Sequence, residues 1–231
     1  MVSMAELILA LDLPSGAEAF RLLDRVPDAR WVKIGPILFT RDGPPLVRAL
    51  KARGLEIFLD LKWHDIPNTV AGAITAAVEE GVSLVTIHTL GGQAMMEAAA
   101  RAADGRVAIV GVTVLTSHDP ASFAAVVGRA VPDLEAEVVR LAQAAAQVGL
   151  SGVVCSPHEI RAVREALPAQ AWVVVPGIRR TDDAAGDQVR TATPRAAAAA
   201  GATHLVVGRP VLLAADPATA FRAMSAEAAG S

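Results

Sequence analysis

Apolar residues in this chain come in short continuous runs separated by stretches of helical periodicity. The runs are Leu7 to Asp12, Trp31 to Gly35, Ile57 to Lys62, Leu84 to His88, Ala108 to Leu115, Gly152 to Cys155, Trp172 to Pro176 and His204 to Gly208. They are rich in Val, Ile and Leu without regular polar alternation, and so read as strands covered on both faces, as in a parallel sheet. Between them, Pro67 to Glu80, Gln93 to Ala103, Leu134 to Val148, Pro157 to Ala166 and Pro217 to Met224 read as helices. Several are entered through an early proline, whose missing N–H is harmless in a first turn, and left through Gly81, Gly105 or Gly149. The Ala196 to Ala200 run, set between Thr193-Pro194 and Gly201, reads as a further helix on propensity alone.

Eight repeats of strand then helix predict an α/β fold, a closed (β/α)8 TIM barrel in a single domain over residues 1–231, with its core at about 6–224. A doubly wound open sheet shows the same alternation, and periodicity does not separate the two. The chain has no G-x-G-x-x-G after its first strand and no G-x-x-x-x-G-K-[ST], which removes the usual nucleotide signatures of open sheets and favours the barrel.

Composition narrows the partner. In 231 residues, 53% are hydrophobic and 19% charged, with a net charge of -3 and both signs interspersed. No basic face is offered to nucleic acid or anionic lipid, so a small molecule is the expected partner. The start, Met1-Val2-Ser3-Met4-Ala5-Glu6, lacks a basic n-region, and no apolar run reaches the roughly 18 residues that span a bilayer. A single cysteine, Cys155, excludes an internal disulfide and fits a reducing compartment. A soluble, cytoplasmic protein is expected.

The stretch Asp60-Leu61-Lys62-Trp63-His64-Asp65 stands out, because it puts two carboxylates and an ammonium where an apolar strand should end. Residues two apart on a strand share a face, so Asp60 and Lys62 point one way and Leu61 the other. Burying such charges costs several kcal/mol unless they are paired. If the barrel holds, polar residues at strand C-termini converge on one mouth. Asp12 closes strand one, Lys33 lies within strand two, Asp60 and Lys62 end strand three, His88 ends strand four and Thr116 follows strand five. Three of the 21 basic residues are lysines, Lys33, Lys51 and Lys62, and the rest are arginines. Lys51 suits a helix C-terminus. Lysine at Lys33 and Lys62 points to a compact ammonium able to give up a proton. The competing structural reading is a buried ion-pair network that only fixes packing.

Val207-Gly208-Arg209-Pro210 passes from strand eight into a short helix. That is where this fold often binds phosphate on backbone N–H groups, with Arg209 as an added cation. Pro176-Gly177-Ile178-Arg179 ends strand seven and opens a polar stretch through Thr181, Asp182, Asp183, Gly186, Asp187 and Gln188. A lid with Arg179 and Gln188 as closing contacts is one reading of that stretch, and a solvated loop the other.

Asp60-Leu61-Lys62-Trp63-His64-Asp65-Ile66-Pro67-Asn68-Thr69-Val70 resembles the signature of the orotidine 5'-phosphate decarboxylase family. Ala10-Leu11-Asp12, Val32-Lys33-Ile34-Gly35, Val112-Thr113-Val114-Leu115-Thr116-Ser117, Pro176-Gly177-Ile178-Arg179, Gly186-Asp187-Gln188 and Val207-Gly208-Arg209-Pro210 resemble it in the same order. The D-x-K-x-x-D core is shared with related sugar-phosphate decarboxylases, so specificity rests on Ile66-Pro67-Asn68-Thr69 and the later motifs. Trp63, where another aromatic such as Phe is expected, and the Arg180 to Ala185 stretch depart from the family pattern in ways that bear little on chemistry. The resemblance implies decarboxylation of orotidine 5'-phosphate to uridine 5'-phosphate without metal or organic cofactor.

By the same resemblance the catalytic groups are Lys62, Asp60, Lys33 and Asp65. Substrate would be bound by Asp12, Lys33, the run Asp60, Leu61, Lys62, Trp63, His64, Asp65, Ile66, Pro67, Asn68 and Thr69, and by Thr116, Arg179, Gln188, Gly208 and Arg209. Lys62 would stabilise and protonate a C6 carbanion, and Asp65 would reach across a homodimer interface into the partner's site. Two other classes compete. A metal-dependent sugar-phosphate enzyme could use His88 with two acids, although His64, His88, His118, His158 and His204 show no H-E-x-x-H spacing. A non-enzymatic phosphate-binding barrel would bind nucleotide without turnover.

Overall fold

The computed structural model describes residues 5–180 and 190–230. Its eight parallel strands are β1 (Glu6–Ala10), β2 (Trp31–Ile34), β3 (Glu56–Trp63), β4 (Leu84–His88), β5 (Ala108–Val112), β6 (Gly152–Val154), β7 (Trp172–Val175) and β8 (His204–Val207). They pair in sequence order and close β8 onto β1. The expected barrel is the fold.

Helices α1 (Gly16–Arg25), α2 (Pro36–Ala52), α3 (Pro67–Glu79) and α4 (Gly92–Ala103) follow the first four strands. Two helices follow β5, α5 (Pro120–Val127) and α6 (Leu134–Gln147). After these come α7 (Ile160–Ala166), α8 (Pro194–Ala199), α9 (Arg209–Leu212) and α10 (Pro217–Ala228). Strand parity divides the core. Leu7, Leu9, Val32, Ile57, Leu59, Val85 and Val173 face outward into the layer shared with the helices, while Ile8, Ala10, Phe58, Val110, Val174 and Val206 fill the barrel.

Several boundaries shift by one or two residues, the last helix runs on from Met224 to Ala228, and two further differences have a visible cause. β5 ends at Val112, and Thr113 just beyond it donates to the Val154 carbonyl from both its N–H, at 3.3 Å, and its hydroxyl, at 2.8 Å. The stretch Pro157 to Ala166 is not one helix. It begins as a 3-10 turn over Pro157–Glu159 whose Glu159 folds back to accept from the Ser156 N–H, and α7 starts only at Ile160. The Ala196 to Ala200 run is helical as expected, with Thr193 accepting from the Ala196 N–H at its start.

The N-terminal end of the barrel is sealed by the first residues of three strands. Trp31, Trp172 and His204 pack together there, the His204 ring centroid 4.4 Å from that of Trp172 in a tilted contact and 5.7 Å from that of Trp31 in an edge-to-face one. Burial pushes His204 down from 6.5 to about 4, so the ring is neutral at pH 7. Above pH 6.5 the folded and unfolded chains both carry it neutral. As pH falls toward 4, the unfolded chain takes up a proton that the buried ring refuses, which removes roughly 3 kcal/mol of stability. In His204→Phe that part of the slope should vanish. Unfolding in urea at pH 7 and pH 4 should show wild type losing more stability than the variant, and equal losses would acquit His204.

Candidate active site

The inward parity that fills the barrel with Ala10, Trp31 and Phe58 continues past the apolar layer, so Asp12, Lys33, Asp60 and Lys62 emerge side by side at the C-terminal mouth. They form one alternating chain of charge. Lys33 Nζ lies 2.9 Å from Asp12 Oδ1 and 3.6 Å from Asp60 Oδ2, and Lys62 Nζ lies 2.9 Å from Asp60 Oδ1. Gly35 leaves room for the first pair, since a Cβ there would come within 3.3 Å of both Asp12 Oδ1 and Lys33 Nζ.

Asp60 and Lys33 are the buried members, each only 8% exposed, and Asp60 is the buried acid. Burial alone would push its carboxyl up. The Lys33 and Lys62 ammonium groups, with hydrogen bonds from Lys62 and Thr86, outweigh that and hold it below the usual carboxylate range. It is therefore ionised at neutral pH. The Lys62 side chain is more open than that of Lys33, 34% exposed against 10%, and presents its ammonium to the cavity.

Local backbone geometry puts Lys62 there. Leu59 pairs with Val85, but the next registered pair is Trp63 with Ile87, so β3 takes four steps where β4 takes two. Within that bulge Lys62 adopts φ 52, a left-handed conformation that costs a residue with a side chain about 1–2 kcal/mol. Its N–H donates to Thr86 Oγ1 at 2.8 Å, and the Thr86 hydroxyl donates to Asp60 Oδ1 at 3.0 Å.

A cavity of about 480 Å³ opens on this array. Thr116 borders it after β5, Gly177 and Arg179 after β7, and Gly208 and Arg209 after β8. Arg179 is buried and donates to the Ile178 carbonyl at 2.8 Å. Gln188 lies outside the described residues.

The rest of the Leu61 to Thr69 run does not join the cavity within one chain. Leu61 and Trp63 face the opposite way and pack against the layer between barrel and helices. His64, Asp65, Ile66, Asn68 and Thr69 are exposed, and Pro67 opens α3. Asp65 Oδ1 accepts from the Ile66 N–H at 2.6 Å. His88 sits against His64, ring centroids 5.6 Å apart, and burial together with the nearby His64 and Lys62 charges pushes it down to about 4. Among the described residues no three His, Cys, Asp or Glu side chains gather in a way that would hold a metal.

Sequence reading missed two groups. Thr86, with no exposed surface, is one, and its signal was a threonine set between Val85 and Ile87, on the same face of the strand as His88. The second is a buried network in which Glu159 accepts from Ser156 and pairs with Arg190, whose guanidinium also donates to the Leu115 carbonyl at 3.2 Å. Ala192 adds two bonds to the β7 exit, its N–H to the Gly177 carbonyl and its carbonyl to the Arg179 N–H. The exits of β5, β6 and β7 are thereby tied together beside Thr116. The Ser156-x-x-Glu159 spacing of a capping box was its legible trace.

Comparison with known proteins matches residues 5–224 to the model of the Orotidine 5'-phosphate decarboxylase / HUMPS family. The chain is 54% identical over 227 residues to the orotidine 5'-phosphate decarboxylase of Halorhodospira halophila, covering 96% of this chain and 95% of that protein. It is 50% identical over 218 residues to the enzyme of the same name from Anaeromyxobacter sp., covering 94% and 95%. Among solved structures, the orotidine 5'-phosphate decarboxylase of Lactobacillus acidophilus superposes with a TM-score of 0.86 at 33% identity, covering 96% of this chain and 98% of that one.

Proposed function

Because the chain belongs to the Orotidine 5'-phosphate decarboxylase / HUMPS family, we propose that it converts orotidine 5'-phosphate to uridine 5'-phosphate and CO2, in the cytoplasm and without metal or organic cofactor. The observation that carries this reading is the alternating Asp12, Lys33, Asp60, Lys62 array, lying on a cavity that Arg209 also borders. Such an array offers a fixed negative charge and a proton-bearing cation side by side, as loss of CO2 followed by protonation requires.

In this reading the bond between C6 and its carboxylate breaks with the electron pair left on C6. The Lys62 ammonium stabilises that charge and then transfers a proton to it, and the neutral amine regains a proton from water. Asp60 faces the departing carboxylate. Like charges about 4 Å apart at an effective dielectric of ~20 repel by roughly 4 kcal/mol, a stress relieved as CO2 leaves. Lys33 keeps Asp60 ionised and orients Lys62, Asp12 takes ribose hydroxyls, and Thr116 contacts the base. Arg209, Gly208, Arg179 and Gln188 hold the phosphate, so that binding energy remote from C6 lowers the chemical barrier.

Asp65 serves the site of a second copy. Its exposure, with its carboxylate turned onto the Ile66 N–H and not into its own cavity, supports a homodimer whose sites are shared. Ile66 beside it, 66% exposed, is an apolar surface for such a contact.

The absorbance of orotidine 5'-phosphate should fall on adding the protein, at the same rate with or without chelator. A rate abolished by chelator and restored by a divalent ion would overturn the metal-free reading. Lys62→Ala should lower turnover by more than about 10⁴-fold while still binding uridine 5'-phosphate. Arg209→Ala should instead weaken nucleotide binding by about 10- to 100-fold, the loss of a charge-assisted contact. Mixed Lys62→Ala and Asp65→Ala dimers should recover part of the activity, because one hybrid site holds every group. No recovery despite proven subunit exchange would rule out a shared site.

A further inference from the structure

We propose that Thr86 is a positioning residue that fixes the Lys62 ammonium on Asp60, an inference that rests on the decarboxylase reading for its kinetic consequences. The Thr86 hydroxyl has one proton and its lone pairs to distribute, and its neighbours leave a single assignment. A backbone N–H donates only, so Thr86 accepts from Lys62. Asp60 is ionised and accepts only, so Thr86 donates to it. The Lys62 ammonium donates to the same Oδ1. Lys62 is thus held at both ends, its backbone through Thr86 and its side chain directly, on one carboxylate oxygen.

The bulge makes this hold necessary. Between Leu59 and Trp63 the β3 ladder has no registered partner on β4, and Lys62 there sits at φ 52. The Thr86 hydroxyl meets the Lys62 N–H within that interval and keeps the residue in a conformation that its side chain disfavours. Nothing about packing asks for a hydroxyl at this place. Thr86 is fully buried between Val85 and Ile87, where valine has nearly the same shape and strong strand preference.

Thr86→Val should therefore leave the barrel intact but free Lys62 to leave its left-handed conformation. A displacement of about 1 Å at the reacting groups lowers rates on the order of 100-fold. We expect kcat to fall by about that factor, while KM and the affinity for uridine 5'-phosphate stay within about threefold. Thr86→Ser, which keeps the hydroxyl, should recover most of kcat. Amide hydrogen exchange at Lys62 should quicken in Thr86→Val and not in Thr86→Ser, with or without any turnover. Wild-type kcat in Thr86→Val, equal losses in kcat and nucleotide affinity, or failure of serine to rescue would each overturn the proposal. Were wild type itself unable to decarboxylate orotidine 5'-phosphate, the functional reading would fall, and exchange at the Lys62 amide would still decide the role of Thr86.

Discussion

A single buried carboxylate, that of Asp60, sets the terms for the rest of the mouth. An unpaired carboxylate in this position would take up a proton, because burial penalises its charge by several kcal/mol. Lys33 at 3.6 Å and Lys62 at 2.9 Å reverse that balance, and each brings its own demands. Lys33 needs the second acid, Asp12, and the space that Gly35 leaves beside it. Lys62 needs a bulge in β3 and a backbone conformation that no packing preference would select.

The barrel makes such a cluster affordable by separating it from the part that holds the fold together. At the N-terminal end Trp31, Trp172 and a neutral His204 close the floor, and Ile8, Phe58, Val110 and Val206 fill the space above. The mouth is secured by polar bonds instead. Arg190 ties Glu159 to the Leu115 carbonyl, and Ala192 is bonded to Gly177 and Arg179, so three strand exits are joined without filling the cavity with side chains. Removing one partner of a buried pair leaves the other charge uncompensated, which makes that link specific as well as strong.

This division explains what could be read from the chain. The eight strands were legible because burial on both faces writes itself as continuous Val, Ile and Leu, and closure agreed with the absence of open-sheet phosphate motifs. Asp12, Lys33, Asp60 and Lys62 were legible because charge at the end of an apolar strand is conspicuous. Alternation correctly put Asp60 and Lys62 together, although it assumed a regular strand where the chain bulges. Thr86 was hidden, since a threonine in a strand is ordinary and its two bonds depend on a register shift that no local pattern reports. Glu159 and Arg190 stand 31 residues apart, and the pairing of β6 with β7 makes their exit loops neighbours. The exposure of Asp65 agrees with its expected place in the loop beyond β3.

The energetics of the array also bear on why it is there. A network kept only for packing would be served as well by apolar side chains of similar volume, since exchanging buried ion pairs for them is often neutral or stabilising. Here the charged arrangement carries in addition a left-handed lysine and a bulged strand, each unfavourable to folding by itself. The more open ammonium of the array faces a cavity of about 480 Å³ and not a closed interior. Buried charge, backbone strain and access to a cavity coincide at Lys62, and stability accounts for none of the three. The function proposed above, with a cation held at a fixed place for a ligand that develops negative charge, would account for all of them.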